Sequence, residues 1–343
     1  MINENLRFLR KSLTWQRTWN AVKVYSGYFL SLLLKKPLIW GYPPVIMIEP
    51  GNICNLRCPL CPTGNGSLQR PKGYMDLETF RQIIDQTYKH SFMVVLWNQG
   101  EPFLNDKILE MVKYADQRKM FTLLSTNGNI YPEPEDIVAS GLDSLIISLD
   151  GASQETYNKY RINGRLSKVL GFAEELVQAR KKLKKKNPLL RWQFLVMKHN
   201  EHEIEAIKLE AKQIGVDNLE LKTVQIYSPE DIENFLPLNP RYRRYKITGE
   251  NFELKAGIPN RCRRIWVNGV INWDGEMTVC CFDKDTSIRI GSLQKSSLLQ
   301  LWKSREFNNF RQQLLKNRKA FTICRNCGES VKMRVKQTII KKD

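Results

Sequence analysis

Short apolar runs alternate with longer amphipathic stretches between residues 45 and 224. The apolar runs are VIMIE (45–49), FMVVLW (92–97), FTLLSTN (121–127), SLIISLD (144–150), RWQFLVMK (191–198) and NLELKTV (218–224). Each has the length of a buried strand, and the stretches between them repeat with a helical period. Strand followed by helix, repeated about six times, predicts a parallel sheet or an α/β barrel with right-handed crossovers. In such folds, functional residues collect at the carboxyl ends of the strands.

The sequence on either side of this region changes character, and the whole chain is predicted to form five segments. They are a basic amphipathic extension (1–42), the barrel (43–225), a linker rich in Pro, Asn and Gly (226–258), a small second domain (259–330) and a basic tail (331–343). The second domain contains VNGVINWDGEMTVCCF (267–282), whose Asn-Gly and Asp-Gly pairs between alternating apolar residues predict a hairpin. A helical stretch and the motif CRNC follow it.

The N-terminal extension is rich in aromatic residues and leucine and is predicted to be helical up to Pro37. Its uninterrupted apolar stretch is too short to cross a bilayer, which takes about 20 residues. The favoured interpretation is an amphipathic helix that packs across the main domain. The alternative is a helix that lies on a membrane surface, with Lys and Arg beside its apolar face.

Basic residues outnumber acidic ones by 54 to 35, which gives a formal net charge of +19. This balance favours an acidic partner, such as nucleic acid, anionic lipid or an acidic peptide, and raises the hypothesis of a weak association with an anionic surface. Part of the charge lies in RKKLKKK (180–186) and in KMRVKQTIIKKD (332–343). Both segments are also typical of a solvated helix end and a loose terminus.

The chain contains eight cysteines, which are too few and too unevenly spaced for a secreted disulfide scaffold. The first residues do not resemble a cleavable signal peptide, so a reducing cytoplasm is the predicted location. In that compartment, clustered cysteines hold metal more often than they form disulfides.

Three of the cysteines, Cys54, Cys58 and Cys61, form the spacing CxxxCxxC on the loop after the first predicted strand. Thiolates in this arrangement are suited to an iron–sulfur cluster or a zinc ion. Three ligands leave one coordination position open, and zinc would need a fourth ligand nearby. The histidines are distant in sequence, which disfavours zinc without excluding it.

This loop resembles the hallmark of the radical S-adenosylmethionine (radical SAM) enzymes. The resemblance implies a partial (β/α)6 TIM-like barrel and a [4Fe–4S] cluster held by Cys54, Cys58 and Cys61. Its fourth iron binds the amino and carboxylate groups of S-adenosylmethionine. The reduced cluster then splits that molecule into methionine and a 5′-deoxyadenosyl radical, with electrons from an external donor of the flavodoxin or ferredoxin type.

The end of the second predicted strand is similar to the Gly-Gly-Glu motif of this family. Gln99, Gly100 and Glu101 match it, with Gln in place of the first Gly. The resemblance implies that these residues receive the amino group of S-adenosylmethionine. Ser125 and Asn127, at the end of the third strand, are further candidates to face the site.

Other family positions match residues of the fourth and fifth strands and the loop between them. The resemblance implies that Ser148 and Asp150 contact the ribose and nearby polar groups of the cofactor. Arg161 resembles an arginine that pairs with the methionine carboxylate, for which a planar guanidinium is well suited. Gln193 lies where the family touches ribose or adenine.

The remaining cysteines form a second set, Cys262, Cys280, Cys281, Cys324 and Cys327. The last two form CxxC, which is a strong metal-ligand spacing. The stretch from Cys262 to Cys280 resembles the opening of the SPASM/twitch extension of radical SAM enzymes, which implies an auxiliary [4Fe–4S] cluster held by Cys262, Cys280, Cys324 and Cys327. The glycine spacing selects Cys280 over Cys281. A zinc ribbon built from the same four sulfurs is the alternative.

The resemblance therefore predicts a radical SAM oxidoreductase that removes a hydrogen atom from its substrate and then oxidises or cross-links it, with the auxiliary cluster as electron acceptor. The substrate is a small molecule or a peptide, and maturation of a ribosomally made peptide is the alternative to small-molecule dehydrogenation. The sequence identifies no general base. The alternative from another class is a basic, zinc-stapled nucleic-acid-binding protein, which leaves CxxxCxxC unexplained.

Overall fold

The computed structural model describes residues 2–328 and 336–339, so most of the predicted basic tail lies outside the described residues. The strands are β1 Val45–Ile48, β2 Met93–Leu96, β3 Phe121–Thr126, β4 Ser144–Ser148, β5 Leu189–Val196, β6 Asn218–Thr223, β7 Tyr245–Thr248, β8 Asn251–Leu254, β9 Asn268–Ile271, β10 Glu276–Thr278, β11 Arg289–Ser292 and β12 Lys336–Ile339. The helices are α1 Ile2–Ser12, α2 Trp15–Leu34, α3 Leu77–Thr87, α4 Ile108–Gln117, α5 Pro134–Ala139, α6 Gln154–Asn158, α7 Leu166–Lys182, α8 Ile204–Ile214, α9 Glu230–Phe235, α10 Arg264–Val267, α11 Leu298–Trp302, α12 Arg305–Lys316 and α13 Thr322–Arg325.

The chain divides into two compact units. The first consists of Met1–Ile53, Leu68–Leu123 and Ile258–Val331, and the second of Cys54–Ser67, Leu124–Gly257 and Lys332–Asp343. All six strands predicted from the apolar runs are present, as β1 to β6.

In the first unit the strands follow the order β11-β10-β9-β1-β2. Strand β1 is parallel to both of its neighbours, with Val45 opposite Met93 in β2 and opposite Asn268 in β9. Strands β9 and β10 form the predicted hairpin, which turns at Gly275 with a φ of +78°. The Asn-Gly pair that begins at Asn268 lies inside β9 and forms no turn, because there its backbone pairs with β1.

In the second unit β4, β5 and β6 are parallel, and β12 is antiparallel to β6. Strand β5 buries every second side chain, at Leu190, Trp192, Phe194 and Val196. This alternation places one face of the strand in the core, as a pleated strand requires. The parallel pairing in both units confirms the predicted α/β class.

Residues 226–258, predicted to be a linker, contain α9 and the antiparallel pair β7–β8. Leu236 and Tyr245 from this segment are buried in an apolar cluster with residues of the second unit. The Tyr245 hydroxyl also accepts a hydrogen bond from the backbone N–H of Ile226. The apolar residues are isolated between Pro, Asn and charged positions, so the sequence shows no periodic run there.

The N-terminal extension packs against the rest of the first unit through both apolar and polar residues. Val24 and Tyr28 of α2 are buried in an apolar cluster, where the Tyr28 ring contacts that of Trp266. The guanidinium of Arg17 is buried and donates to four backbone carbonyl oxygens, those of Ser12, Tyr88, Arg118 and Lys119. Burial lowers the pKa of Arg17. Among the described residues, no helix is both long and apolar enough to cross a membrane.

Replacing Arg17 with Met is expected to lower the free energy of unfolding by about 3 kcal/mol, because the carbonyl oxygens lose their charged donor in a buried place. Gln16→Met changes the exposed neighbouring residue and is the matched control, with an expected effect within about 0.5 kcal/mol. Denaturant unfolding of both variants measures the difference. Equal stability of the two variants would contradict the anchoring role of Arg17.

Candidate functional site

The three cysteines of the first motif lie on one loop of the second unit. Cys58 is buried, while Cys54 and Cys61 are half-buried. The loop turns tightly, since the backbone N–H of Cys61 donates to the carbonyl of Cys58. Gly64 lies against this turn, and a Cβ there would be 2.6 Å from the backbone nitrogen of Cys58. A glycine is therefore required at this position, three residues after Cys61.

Donors from three parts of the second unit surround these sulfurs. The backbone N–H of Leu56 is 3.4 Å from the Cys54 sulfur, and the side-chain amide of Asn127 is 3.7 Å from it. The guanidinium of Arg161 is 3.7 Å from the Cys58 sulfur. Burial raises the pKa of the Cys58 thiol, and Arg161 opposes that rise. Donors directed at sulfur stabilise thiolates, so this set fits the ligands of an iron–sulfur cluster.

Arg161 is held in place by Asp150. Its Nε donates to Asp150 Oδ2 at 2.6 Å, and the backbone N–H of Leu195 donates to Oδ1 at 2.7 Å. Asp150 is fully buried. Both carboxylate oxygens are engaged within the protein, which makes Asp150 a positioning residue for Arg161. The predicted contact between Asp150 and a ribose stays a prediction.

The other two predicted residues of the second unit lie side by side on neighbouring strands. Ser148 in β4 is directly opposite Gln193 in β5. The side chain of Ser148 is buried and that of Gln193 is half-buried. The structure therefore brings this pair together, and their contacts with the cofactor stay predictions.

Gln99, Gly100 and Glu101 follow β2 in the first unit and pack against the end of β1. Gly100 has a φ of +76°, and a Cβ there would be 2.4 Å from the carbonyl oxygen of Gly51. The backbone N–H of Glu101 donates to the carbonyl of Ile53 at 2.8 Å. The backbone before Cys54 is thus fixed by this turn, and a side chain at Gly100 is excluded by sterics and backbone conformation alike.

The first unit contains a buried ion pair that is not apparent from the sequence. Arg70 donates to both carboxylate oxygens of Glu49, at 2.7 and 2.9 Å, and its Nε donates to the carbonyl of Lys284. Glu49 also accepts the backbone N–H groups of Gln99 and Trp273. The one sequence feature that indicates this ion pair is the charged residue at the end of the apolar run VIMIE.

The ligands predicted for the auxiliary cluster are all buried, namely Cys262, Cys280, Cys324 and Cys327. The first three share one apolar cluster of the first unit. Cys281 is half-buried and accepts a hydrogen bond from Arg264 at 3.4 Å. Among the described residues, no three His, Cys, Asp or Glu side chains converge as they would around a bound metal ion. The selection of Cys280 over Cys281 stays a prediction.

A buried arginine lies beside these cysteines. Arg318 donates to the carbonyl of Arg261, immediately before Cys262, and is within hydrogen-bonding distance of the Cys324 sulfur. Burial raises the pKa of the Cys324 thiol, and Arg318 opposes that rise. The second cysteine set therefore combines buried sulfur with a neighbouring cation, which again fits thiolate ligands.

Two protein-family models match the chain and together cover more than half of it. The radical SAM superfamily model matches residues 48–211, and the SPASM model, an iron-sulfur cluster-binding domain, matches residues 262–328. The chain is a radical SAM enzyme with a C-terminal SPASM domain. Its cofactors are the [4Fe–4S] cluster of the radical SAM domain, S-adenosylmethionine and the iron–sulfur centre of the SPASM domain.

Relatives of this radical SAM enzyme have diverged strongly in sequence. The tungsten-containing aldehyde ferredoxin oxidoreductase cofactor-modifying protein of Pyrococcus furiosus is 23% identical, covering 78% of this chain and 82% of that protein. The PqqA peptide cyclase of Gluconobacter oxydans is 22% identical, covering 78% of this chain and 79% of that protein.

Solved structures show the same fold. The crystal structure of Streptococcus suis SuiB bound to S-adenosylmethionine has a TM-score of 0.60 and 15% identity, covering 80% of this chain and 68% of SuiB. SuiB bound to its precursor peptide SuiA has a TM-score of 0.60 and 14% identity, covering 87% of this chain and 73% of SuiB. The architecture is thus the α/β fold of radical SAM partial barrels with a small C-terminal domain.

Replacing Gly100 with Ala is expected to lower the free energy of unfolding by about 2 kcal/mol or more, because the left-handed backbone conformation and the nearby carbonyl of Gly51 both oppose a Cβ. Gly171→Ala in the middle of α7 is the matched control. A Cβ at Gly171 meets no atom within 4 Å. Alanine there is expected to stabilise the helix by up to about 1 kcal/mol. Unfolding curves with shifts of the same sign in both variants would contradict this assignment.

Replacing Arg70 with Met leaves the Glu49 carboxylate buried without its cation. This is expected to lower the free energy of unfolding by about 3–5 kcal/mol at neutral pH. The double variant Glu49→Gln/Arg70→Met is expected to recover most of that loss. Burial already raises the pKa of Glu49, against the opposing effect of Arg70. A raised carboxyl pKa favours the folded state at low pH and loses that benefit as pH rises, so the Arg70→Met deficit is expected to shrink on acidification. A deficit independent of pH would contradict this account.

Proposed function

We propose that this radical SAM enzyme binds its S-adenosylmethionine-cleaving cluster through Cys54, Cys58 and Cys61, and that Arg161 beside Cys58 receives the methionine carboxylate. The observation that carries the proposal is the half-buried Arg161 guanidinium, fixed by Asp150 at 3.7 Å from the Cys58 sulfur. When bound, the cluster and S-adenosylmethionine supply a 5′-deoxyadenosyl radical that takes a hydrogen atom from a substrate carbon. The protein's part is to orient the bound groups and keep water away.

Several residues have defined tasks in this proposal. Asp150 orients Arg161, whose planar guanidinium suits a carboxylate. Asn127 and the backbone of Leu56 donate to the Cys54 sulfur and hold it as a thiolate. Ser148 and Gln193, side by side on β4 and β5, supply polar groups for the ribose.

The turn at Gln99, Gly100 and Glu101 receives the ammonium of the methionine portion. The Glu101 carboxylate is buried and accepts the backbone N–H of Phe103. A glycine at the centre of the turn lets its backbone approach a ligand closely.

The SPASM domain holds one auxiliary [4Fe–4S] cluster in this proposal, through Cys262, Cys280, Cys324 and Cys327. Four buried cysteines match the ligand number of one such cluster. A cluster there would accept one electron. This balances the reaction, because the substrate loses a hydrogen atom to the radical and then a proton and an electron. The products are an oxidised or cross-linked substrate, methionine and 5′-deoxyadenosine.

A peptide is the favoured substrate class. One relative is named for its action on the PqqA peptide, and SuiB has been crystallised with a precursor peptide. The net charge of +19 also favours an acidic peptide. The second candidate is a small molecule, which the name of the Pyrococcus furiosus relative supports, since that protein modifies a cofactor.

Anaerobically reconstituted enzyme is expected to hold about eight irons per chain, four for each cluster. Changing Cys54, Cys58 and Cys61 together to Ala is expected to remove about four irons and abolish 5′-deoxyadenosine formation. Changing Cys262, Cys280, Cys324 and Cys327 to Ala is expected to remove the other four or so while S-adenosylmethionine cleavage persists. Cys281→Ala is the matched control and keeps the full iron content.

The substrate class is tested with the same wild-type protein. Short peptides encoded beside the gene, deuterated at their side-chain carbons, are expected to transfer deuterium to 5′-deoxyadenosine, which mass spectrometry detects. Retention of all irons in the first cysteine variant would overturn the cluster assignment. Deuterium transfer only from small molecules would overturn the peptide assignment alone.

A further inference from the structure

Helix α2 has apolar residues on both its buried and its exposed side. Its buried side contains polar residues together with an apolar pair that packs in the core of the first unit, and these residues are Arg17, Asn20, Val24, Gly27, Tyr28 and Ser31. Its opposite side carries large apolar residues at positions that share one helical face, with Ser26 among them. This outer stripe is formed by Trp15, Trp19, Val22, Phe29, Leu30 and Leu33, all of which are exposed.

Polar contacts fix the inward side of the helix. Besides the four carbonyl contacts of Arg17, the Asn20 side chain donates to the carbonyls of Tyr42 and His90 and accepts the N–H of Tyr42. Ser31 accepts the backbone N–H of Leu38. A rotation of the helix that brought the outer stripe inward would break these hydrogen bonds of buried groups. The fold therefore directs the outer stripe away from the rest of the first unit.

The apolar side chains of the outer stripe are strongly exposed. Trp15 is 80% exposed, Leu33 75% and Phe29 63%. The rings of Trp15 and Trp19 stack, with centroids 6.3 Å apart. Single exposed apolar residues are common on proteins, whereas several on one face mark a site of interaction.

The charge around the stripe indicates the kind of partner. Helix α2 contains no Asp or Glu, and Glu4 is the one acidic residue in the first 36 positions of the sequence. Lys23 is beside the stripe, and Lys35 and Lys36 follow directly at the end of the helix. Apolar and aromatic side chains flanked by Lys are the combination that binds the surface of an anionic bilayer.

We propose that the outer stripe of α2 docks this enzyme on the surface of an anionic lipid bilayer, with the helix parallel to the membrane plane. A helix of this length presents roughly 30 Å of apolar edge to the interfacial region. Its tryptophans suit the headgroup level, where an amphipathic ring is favoured. A second copy is a poorer fit, because two such stripes would bring two sets of lysines together.

The test uses full-length holoenzyme and two kinds of vesicle, one of phosphatidylcholine alone and one that also contains about 30% phosphatidylglycerol. Sedimentation is expected to show at least about tenfold tighter binding to the anionic vesicles. Tryptophan fluorescence is expected to shift to the blue on binding and to be quenched by brominated lipid.

Two sets of variants separate the apolar and charged contributions. Trp19→Ser/Phe29→Ser/Leu33→Ser is expected to abolish vesicle binding, and Lys35→Glu/Lys36→Glu is expected to remove the preference for anionic lipid. Leu209→Ser and Leu238→Ser change equally exposed leucines elsewhere and are matched controls. All variants are expected to form 5′-deoxyadenosine as the wild type does, which shows that they are folded.

Absence of binding to anionic vesicles by the wild type, or equal binding by the triple serine variant, would overturn the proposal. So would self-association of the wild type that the serine changes abolish, because the stripe would then join two copies of the chain. Sedimentation velocity in the absence of lipid measures that outcome.

Discussion

The site depends on how the protein keeps a sulfur atom buried and still able to bind metal. Burial raises the pKa of Cys58, which opposes the thiolate that an iron–sulfur cluster needs. Arg161 offsets this with a guanidinium 3.7 Å from the sulfur, and Asp150 keeps that guanidinium from turning away. The SPASM domain uses the same combination, with Arg318 beside Cys324. In each unit the guanidinium of a neighbouring arginine thus stabilises a buried thiolate.

Close backbone approach is the second requirement, and glycine meets it at both motifs. Gly64 allows the chain to pass against Cys58, and Gly100 allows the turn after β2 to pass against Gly51. Both lie at the carboxyl side of parallel strands, where loops can vary without disturbing the sheet. The glycines beside the motifs therefore help to determine the conformation of the cysteine loop and of the turn after β2.

The sequence predicted those features that local patterns determine. Six strands were visible because each buried strand is a compact apolar run, and the cysteine motifs were visible because their ligands are close in sequence. Pairings such as Glu49 with Arg70 were missed, since they join residues that only the fold brings together. The buried Tyr245 was missed because an isolated aromatic residue carries no periodicity.

Helix α2 marks a different limit of sequence reasoning. The period reveals two faces, but hydrophobicity alone would place the aromatic face inward. The deciding information is the set of backbone carbonyls around Arg17, which exist only once α3, α4 and the turns after them are folded. Because the hydrogen bonds of Arg17 and Asn20 and the buried Val24 and Tyr28 attach the helix, its outer stripe is not needed for that attachment. Anchoring and docking thus use opposite sides of one helix, and the outer side can evolve to suit its partner without loosening the fold.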